Sequence, residues 1–317
     1  MDKAKIINVL KERAIFVVMI VLFLFFTIRT DTFCTTNNLL NIARQVAVLG
    51  IASVGMTMVI LTGGIDLATG SIITFVNIIT AYFMVNAGLN MWVAILIALT
   101  ASTLIGLING IAVANLNMPP LIVTFSTQTI FEGLAYIICG GIPIFGFSKA
   151  FAYIGQGYLG AIPFPVILLI IAFAIGGFIL VKSYFGRYIY AVGGNEEAAE
   201  LSGIRVKHIK YLVYSLSGLF AGIAGVVMLS RTNSGQPTAG KGYEFDVITA
   251  VVLGGVSVNG GAGKISNVIA GVLIIGMLSN GMVLLNVSSY AQMVVKGLIL
   301  AIAVGFDCYQ KLTLSKK

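Results

Sequence analysis

Long apolar runs separated by short polar stretches fill this chain of 317 residues, and they constrain its fold more than any other feature. A helix that crosses a bilayer needs about 20 apolar residues, and about ten runs of near that length fit the chain. Backbone groups in lipid must be hydrogen-bonded internally, and no strand-like alternation is present, so the sequence predicts an all-α polytopic membrane protein. The eighth run is short and contains Asp246, which indicates a broken or partly inserted helix. The candidate spans are residues 14–30, 46–63, 70–87, 91–114, 120–139, 163–182, 211–230, 245–259, 265–285 and 289–306.

The composition excludes most soluble classes of protein. Only 9% of the residues are charged and 58% are hydrophobic, with a mean hydropathy of +1.03. A soluble domain carries about 25% charged residues, so soluble enzymes, nucleic-acid binders and disordered scaffolds are excluded. We therefore expect the outer surface of this protein to contact the lipid bilayer and expect no nucleic acid as a partner. The cysteines Cys34, Cys139 and Cys308 form no CxxC pair and predict neither a metal site nor a disulfide framework.

The distribution of Lys and Arg predicts the orientation in the membrane. Cytoplasmic segments of membrane proteins carry an excess of positive charge. With ten spans and a cytoplasmic amino terminus, the inner segments hold Lys3, Lys5, Lys11, Arg13, Lys182, Arg187, Arg205, Lys207, Lys210, Lys264, Lys311, Lys316 and Lys317. The outer segments hold only Arg29, Arg44, Lys149, Arg231 and Lys241, and Lys296 falls within the last span. Both termini are therefore predicted to be cytoplasmic.

Residues 1–317 are expected to form one transmembrane domain with two long loops. On this topology residues 140–162 lie outside the cell, and their aromatic and Gly-rich composition favours a position against the membrane surface or a partner. Residues 183–210 lie in the cytoplasm and hold the densest charge in the chain.

A short helix is predicted within the cytoplasmic loop. Asn195 can cap a helix that runs from Glu196 to about Ser202, and Glu196 and Glu197 suit the positive end of its dipole. Gly203 follows where a helix commonly ends. The sequence therefore predicts an amphipathic helix of about two turns.

Residues for catalysis or nucleotide binding are missing. The nearest approach to a phosphate-binding loop ends at residues 263–265, but Val258 replaces its first glycine and Ile265 its hydroxyl residue. The single histidine, His208, lies among lysines in a cytoplasmic loop and is expected to be solvated. We predict no catalytic residue, metal or cofactor, and no nucleotide hydrolysis by this chain.

Acidic residues within apolar stretches are candidates for a transport path, because a charge in hydrocarbon costs several kcal/mol unless it faces water, a partner or a substrate. Asp66 follows two glycines at the end of the second span and is either a gate or path lining, or a helix cap at the interface. Glu132 lies mid-span, and its helix face carries Gln128 and Thr124, with Thr127 close by. This polar stripe either lines the path or forms a buried structural hydrogen-bond network.

The polar stretch Arg231–Asp246 is predicted to lie outside the seventh span. Its amide, hydroxyl and carboxylate groups suit hydroxyl-rich ligands or a docking protein, and an ordinary solvated loop is the alternative. Gln236, Glu244 and Asp246 are the extracytoplasmic docking candidates.

Two glycine-rich stretches resemble each other. Residues 63–70 and 254–261 both begin with two glycines, have apolar third and fifth residues and carry a glycine at the eighth position. A duplication is one interpretation, since transporters are often built from repeats, and chance similarity is the other. The topology puts both stretches on the cytoplasmic side, unlike an inverted repeat. Asn259, in the second stretch, joins the path candidates.

Four long motifs together resemble one family. They are GRYIYAVGGNEEAAELSGIRVKHIKYLVYSLSGLFAGIAG (186–225), SGQPTAGKGYEFDVITAVVLGGVSVNGGAGK (234–264), MTMVILTGGIDLATGS (56–71) and NVSSYAQMVVKGLILAIAV (286–304). These stretches are similar to permease subunits of bacterial ABC importers for monosaccharides of the ribose type. The likeness runs from about residue 37 to residue 307.

The resemblance implies an importer of ribose or a similar sugar in the bacterial cytoplasmic membrane. It implies a homodimer of permeases bound to a cytoplasmic ABC ATPase and fed by an extracytoplasmic sugar-binding protein. In related permeases a short helix with an EAA and Gly pattern inserts into the ATPase. Glu197, Ala198, Ala199 and Gly203 resemble that element, so with Asn195 and Glu196 they are the predicted coupling residues.

Other functions are also compatible with the sequence. A nucleoside, a branched-chain amino acid or a quorum-signal sugar is an alternative substrate within the same class. An ion-coupled secondary transporter, with Asp66 and Glu132 as ion site, is the alternative from a different class.

Overall fold

The computed structural model describes residues 3–314, with side-chain surroundings for residues 15–309. This part of the chain is predominantly helical, which confirms the all-α class that the sequence predicts, while the count of ten spans and the cytoplasmic termini stay predictions. The helices are α1 Lys3–Arg29, α2 Thr36–Leu61, α3 Thr69–Val85, α4 Met91–Asn115, α5 Pro120–Cys139, α6 Lys149–Gln156, α7 Phe164–Lys182, α8 Tyr184–Gly194, α9 Glu196–Leu201, α10 Val206–Thr232, α11 Tyr243–Leu253, α12 Ile265–Leu284 and α13 Ser289–Leu314. A small antiparallel hairpin, β1 Tyr158–Leu159 with β2 Ile162–Pro163, is the exception to the all-α prediction.

Seven helices within the described residues are long and apolar enough to cross a membrane. They are α2, α4, α5, α7, α10, α12 and the Ser289–Tyr309 part of α13, while α3 and the Ile15–Arg29 part of α1 are apolar but shorter. The eighth predicted span, 245–259, is the short helix α11, which ends at Leu253 and has 11 residues. At 1.5 Å per residue α11 is about 16 Å long, roughly half the thickness of the hydrocarbon core. The eighth run therefore forms a short helix, as predicted, but the helix ends before residue 259.

Helix α10 is the centre of the bundle and packs on α2, α3 and α4. Glycines bring α4 and α10 into backbone contact, because a Cβ added to Gly106 would lie 2.1 Å from the Tyr214 carbonyl oxygen. A Cβ added to Gly218 would lie 2.2 Å from the Ser102 carbonyl oxygen. Small residues at such contacts are typical of helix packing in membranes.

The outward surface of the bundle is apolar. The peripheral helices α5, α7 and α13 expose large side chains such as Phe125, Phe178 and Ile302. An apolar surface of this extent is typical of a protein surrounded by lipid.

The two ends of the bundle carry different elements, and α10 connects them. Helix α9 precedes the first turn of α10, and α6 packs on its last turn. The Gly155 amide donates to the Ser230 hydroxyl over 2.7 Å, and that hydroxyl donates to the Phe151 carbonyl over 2.6 Å. We call these the α9 end and the α6 end. Part of the loop 140–162 thus covers the end of α10.

Residues 233–242 descend into the bundle from the α6 end along α3. The Gln236 amide donates to the Asn77 side chain over 2.9 Å, and the Gly240 amide donates to the Thr74 hydroxyl over 2.9 Å. These partners lie one turn apart on one face of α3, so α11 begins inside the bundle. The segment does follow the end of α10 at Thr232, as predicted, but it is not an ordinary solvated loop, because Gly240 and Glu244 are buried while Gln236 stays exposed.

Candidate functional site

Helix α9 occurs where the sequence predicts a short capped helix. The Asn195 side chain accepts from the Ala198 amide over 2.9 Å, and Glu196 and Glu197 form the first turn. Gly203 follows with a φ of +85°, a conformation that side chains other than glycine rarely adopt. The predicted helix and both of its caps are confirmed.

The coupling candidates on α9 lie on two different faces of the helix, one buried and one exposed. Ala199 is buried against the core, whereas Glu197 and Ala198 are exposed. One face of α9 is therefore fixed to the bundle, and the acidic face is free for a partner.

Helix α8, which the sequence analysis did not predict, joins α9 to the bundle. Its Gly193 is so close to the end of α2 that an added Cβ would lie 1.8 Å from the Leu61 carbonyl oxygen and 2.6 Å from the Gly261 amide nitrogen. The Tyr190 hydroxyl of α8 donates to the Gly263 carbonyl over 2.9 Å. Burial raises the pKa of Tyr190, which keeps this donor protonated.

The two glycine-rich stretches lie together at the α9 end, where the Gly261 amide donates to the Leu61 carbonyl over 2.9 Å. Two halves of an inverted repeat would lie at opposite ends, so these stretches are not such halves. Asn259 is exposed, and its carbonyl oxygen faces Gly63, so it lies near the surface of this end.

Both stretches end a helix in the same Schellman geometry. In the first, the Gly63 amide donates to Ile60 and the Gly64 amide to Val59; in the second, Gly255 donates to Val252 and Val256 to Val251. The positive φ falls on Gly63 and on Gly255, which are the first and the second glycine of their stretches. The shared geometry is thus one residue out of register with the shared sequence pattern.

Asp66 is fully buried behind the first glycine-rich stretch, with 0% exposure. One carboxylate oxygen accepts from the Ala68 amide over 3.0 Å, just before α3 begins, and the other accepts from the Ser217 hydroxyl over 2.7 Å. The carboxylate therefore has the contacts of a cap and also connects the stretch to α10.

The predicted polar stripe on α5 makes contacts with three neighbouring elements. The Thr124 hydroxyl donates to the Ile65 carbonyl over 3.2 Å, beside Asp66. The Thr127 hydroxyl donates to the Asn109 side chain of α4 over 2.6 Å. Glu132 is half-buried one turn further along α5.

Gln128 connects this stripe to Glu244, in the first turn of α11. The Gln128 side-chain amide donates to Glu244 Oε1 over 2.9 Å. Glu244 is only 3% exposed, and its Oε2 has no hydrogen-bond partner and lies against Gly70. A carboxylate so enclosed is not on a docking surface in this conformation, so the structure groups Glu244 with the path candidates.

The other two docking candidates differ from each other. Asp246 is half-buried and forms an ion pair with Lys296 of α13, with 2.7 Å between Oδ2 and Nζ. This pair explains how Lys296 is accommodated inside a span. Gln236 is exposed, and its side chain donates to the Ser234 hydroxyl.

Several of these polar residues lie near one another, and we call them the polar column. They are Tyr214 and Ser217 on α10, Asp66, the α5 residues Thr124, Gln128 and Glu132, and Glu244 of α11; hydrogen bonds join Ser217 to Asp66, Thr124 to the Ile65 carbonyl and Gln128 to Glu244. Uncharged amide and hydroxyl groups alternate in it with carboxylates.

Tyr214, Ser217 and Asp307 were not among the residues predicted from the sequence. The Asp307 carboxylate on α13 accepts from the Ser257 hydroxyl over 3.0 Å and the Val258 amide over 3.1 Å, and so holds the second glycine-rich stretch. Of the three, Asp307 has the feature by which Asp66 was predicted, since it is an acidic residue next to a long apolar run.

Comparisons with known proteins agree with this architecture. The family model described as the permease component of the branched-chain amino acid transport system matches residues 38–304. The ribose import permease protein RbsC of Bacillus subtilis is 43% identical over 302 residues, which covers 95% of this chain and 94% of the relative. RbsC of Haemophilus influenzae is also 43% identical, covering 94% and 93% of the two chains. The L-arabinose transport system permease protein AraH of Escherichia coli is 41% identical over 295 residues, covering 93% and 90%.

The match of the family model over most of the chain shows what class of protein this is. The chain is a multi-pass membrane permease, and it belongs to the family of branched-chain amino acid transport system permease components, together with the sugar permeases named above. The predicted resemblance to sugar permeases and the predicted membrane location are confirmed. No solved structure matches the chain.

Proposed function

We propose that this chain is the transmembrane permease subunit of an ATP-driven importer for a monosaccharide, ribose or a similar sugar. The observation that carries the proposal is the 41–43% identity to ribose and arabinose permeases over more than nine-tenths of the chain. The polar column supports it, because its amides and hydroxyls suit a neutral polyol. The chain itself is a transport subunit, and ATP hydrolysis belongs to a separate chain.

The proposed topology has ten membrane segments, counting the half-inserted α11, and cytoplasmic termini. On this topology the α9 end faces the cytoplasm and the α6 end faces outward, with residues 1–317 as one domain. Support comes from the Lys and Arg distribution. The side chains of Lys3, Lys5, Lys11, Arg13, Lys311, Lys316 and Lys317 lie outside the described residues.

The proposed partners meet the two ends. A cytoplasmic ABC ATPase binds Asn195, Glu196, Glu197, Ala198, Ala199 and Gly203, a proposal supported by the exposed acidic face of α9. An extracytoplasmic sugar-binding protein contacts residues 140–162 and the exposed Gln236. A second copy of the permease completes the transporter within the bilayer.

The proposed translocation path follows the polar column from Glu132 to Asp66 and ends near Asn259. A neutral sugar needs hydrogen-bonding groups along its way, and it must not be held tightly at any of them. Broken helices at membrane depth are typical of such paths, and both α3 and α11 begin inside the bundle beside Gly70 and Glu244.

Reconstitution with the cognate ATPase and binding protein in liposomes tests the proposal. We expect ATP-dependent uptake of D-ribose or another pentose. Uptake of only leucine or of a nucleoside would overturn the substrate assignment. Uptake driven by an ion gradient without ATP would instead establish a secondary transporter, with the acids of the column as its ion site.

A further inference from the structure

A cavity of about 360 Å³ opens at the α9 end, next to the polar column. The end of α2 with the first glycine-rich stretch (Thr62–Gly64) forms one side of it, and the linker between α4 and α5 (Asn117–Pro120) forms another. Ligand pockets for small molecules have volumes of about 300 Å³ and more, so the cavity is large enough for a small solute.

Tyr214 of α10 forms part of the cavity wall and has a hydroxyl group without a hydrogen-bond partner. The residue is only 1% exposed. Leaving a buried hydroxyl unpaired costs about 1–3 kcal/mol, so this group is expensive unless it serves a ligand. One turn further along α10, Ser217 donates to Asp66, so the cavity adjoins the column directly.

An ion pair lies at the mouth of the cavity. The Lys210 ammonium group on α10 contacts both carboxylate oxygens of Glu196, at 2.6 and 2.8 Å, and both residues line the cavity. Glu196 is the first residue of α9, so one half of the pair moves with that helix. The side chains are 15% (Lys210) and 52% (Glu196) exposed, and a pair so exposed is weak enough to open easily.

We propose that this cavity is an exit site for the transported sugar, in which the Tyr214 hydroxyl binds a sugar hydroxyl and the Glu196–Lys210 pair is the cytoplasmic gate. The inference rests on the proposed function and deepens it. A displacement of α9 by the ATPase separates Glu196 from Lys210 directly, so the coupling helix itself opens the exit. The ligand class is a neutral polyol of monosaccharide size.

The first experiment replaces Tyr214 by Phe in the reconstituted transporter. Loss of one neutral hydrogen bond to the substrate is expected to lower D-ribose uptake about 2- to 12-fold. Thermal stability should be unchanged or higher, because the lost hydroxyl bonds nothing in the protein. The matched control is Tyr211→Phe, which removes a hydroxyl that is bonded to Asn115 and lies outside the cavity lining; its uptake should equal that of the parent.

The second experiment measures access to the cavity. In a cysteine-free background, Met118→Cys puts a thiol in the cavity lining, and an impermeant thiol reagent probes it from the cytoplasmic side. We expect D-ribose at millimolar concentration to slow labelling. We expect Glu196→Lys and Lys210→Glu each to speed labelling in the absence of ATP, and the double exchange to restore the slow rate. The control Glu200→Lys, on the same helix and outside the lining, should leave labelling unchanged.

The outcomes separate the two proposals. A parent transporter that imports no monosaccharide overturns the proposed function. A parent that imports D-ribose while Tyr214→Phe matches Tyr211→Phe, with no protection of Cys at 118 by sugar, overturns the exit site. Equal labelling rates in the single and double charge variants overturn the gate.

Discussion

A methyl group at position 193 should uncouple the permease, because Gly193 lies where α8 meets the end of α2. The added Cβ of Gly193→Ala would be 1.8 Å from the Leu61 carbonyl oxygen and 2.6 Å from the Gly261 amide nitrogen. These two atoms form a hydrogen bond with each other at 2.9 Å. The methyl group would therefore intrude on the bond that holds the two glycine-rich stretches together.

The size of the effect follows from the distances. Real Cβ atoms essentially never come within 3.0 Å of another heavy atom, so α8 and the end of α2 must separate by at least 1.2 Å (3.0 − 1.8). Overpacking of this kind costs about 1–3 kcal/mol, and the Leu61–Gly261 bond contributes about 0.5–1.5 kcal/mol. A total of about 1.5–4.5 kcal/mol against the coupled conformation predicts a loss of transport of tenfold or more, since about 1.4 kcal/mol is a factor of ten.

Gly194→Ala is the matched control. Gly194 is the next residue of α8, and an added Cβ there meets nothing within 4 Å. Both changes raise the helix propensity of α8 by about the same amount, so that contribution cancels in the comparison. The assay is sugar uptake per ATP hydrolysed in proteoliposomes, with thermal unfolding in detergent measured alongside.

The expected result is that Gly193→Ala lowers uptake and the number of sugars moved per ATP, whereas Gly194→Ala leaves both near the parent values. If Gly193→Ala imports sugar with the same efficiency as Gly194→Ala, the contact at Leu61 transmits nothing and the argument is wrong. If Gly193→Ala changes the unfolding temperature but neither uptake nor the number of sugars moved per ATP, the contact is structural.

Further predictions concern the column, the second glycine-rich stretch and the topology. Gln128→Leu removes the amide that donates to Glu244, so uptake should fall while expression is kept; normal uptake, measured with radiolabelled sugar, would make the α5 stripe structural packing. Asp307→Asn weakens two hydrogen bonds to a charged acceptor, and bonds of this kind contribute about 1.5–3 kcal/mol each. The melting temperature should therefore drop in a thermal-shift assay, and an unchanged melting temperature would contradict the role given to Asp307. A cysteine at Arg205 in a cysteine-free background should react with an impermeant reagent only from the cytoplasmic side, and rapid labelling in intact cells would overturn the orientation.

The sequence was sufficient for the long helices and for α9, because their signals are local. Apolar runs near the length of a span have few alternatives to a membrane helix, and Asn195 with its following glutamates specifies a helix start from neighbouring residues alone. Helix α8 was missed because its sequence, YFGRYIYAVGG, contains three glycines and has low helix propensity. Its stability comes from packing on α7 and from contacts with the end of α2 and with residues 254–264, which no local pattern reveals.

The placement of Glu244 could not be predicted for a similar reason. The segment before it, residues 233–242, is polar and rich in glycine, which is the composition of a surface loop. Its amides instead find acceptors on α3, at Asn77 and Thr74, and so the segment enters the bundle without exposing unpaired backbone groups. Only those long-range hydrogen bonds distinguish a descending segment from a loop.

The proposed coupling residues lie close together along the chain, which gives a physical reason to expect that the proposed coupling and the proposed path work together. Gly193 lies three residues before Glu196, so a rigid displacement of α9 acts at once on the Leu61–Gly261 contact and on the ion pair at the cavity mouth. Asp66 lies five residues after Leu61 and is bonded to Ser217, so the same displacement reaches the base of the polar column. The end of α2 also lines the cavity, at Thr62–Gly64, so a shift of about 1 Å there changes the shape of the cavity as well. On the proposed function, motion imposed on α9 would therefore change the proposed exit site and the polar column together, which is the arrangement that alternating access requires.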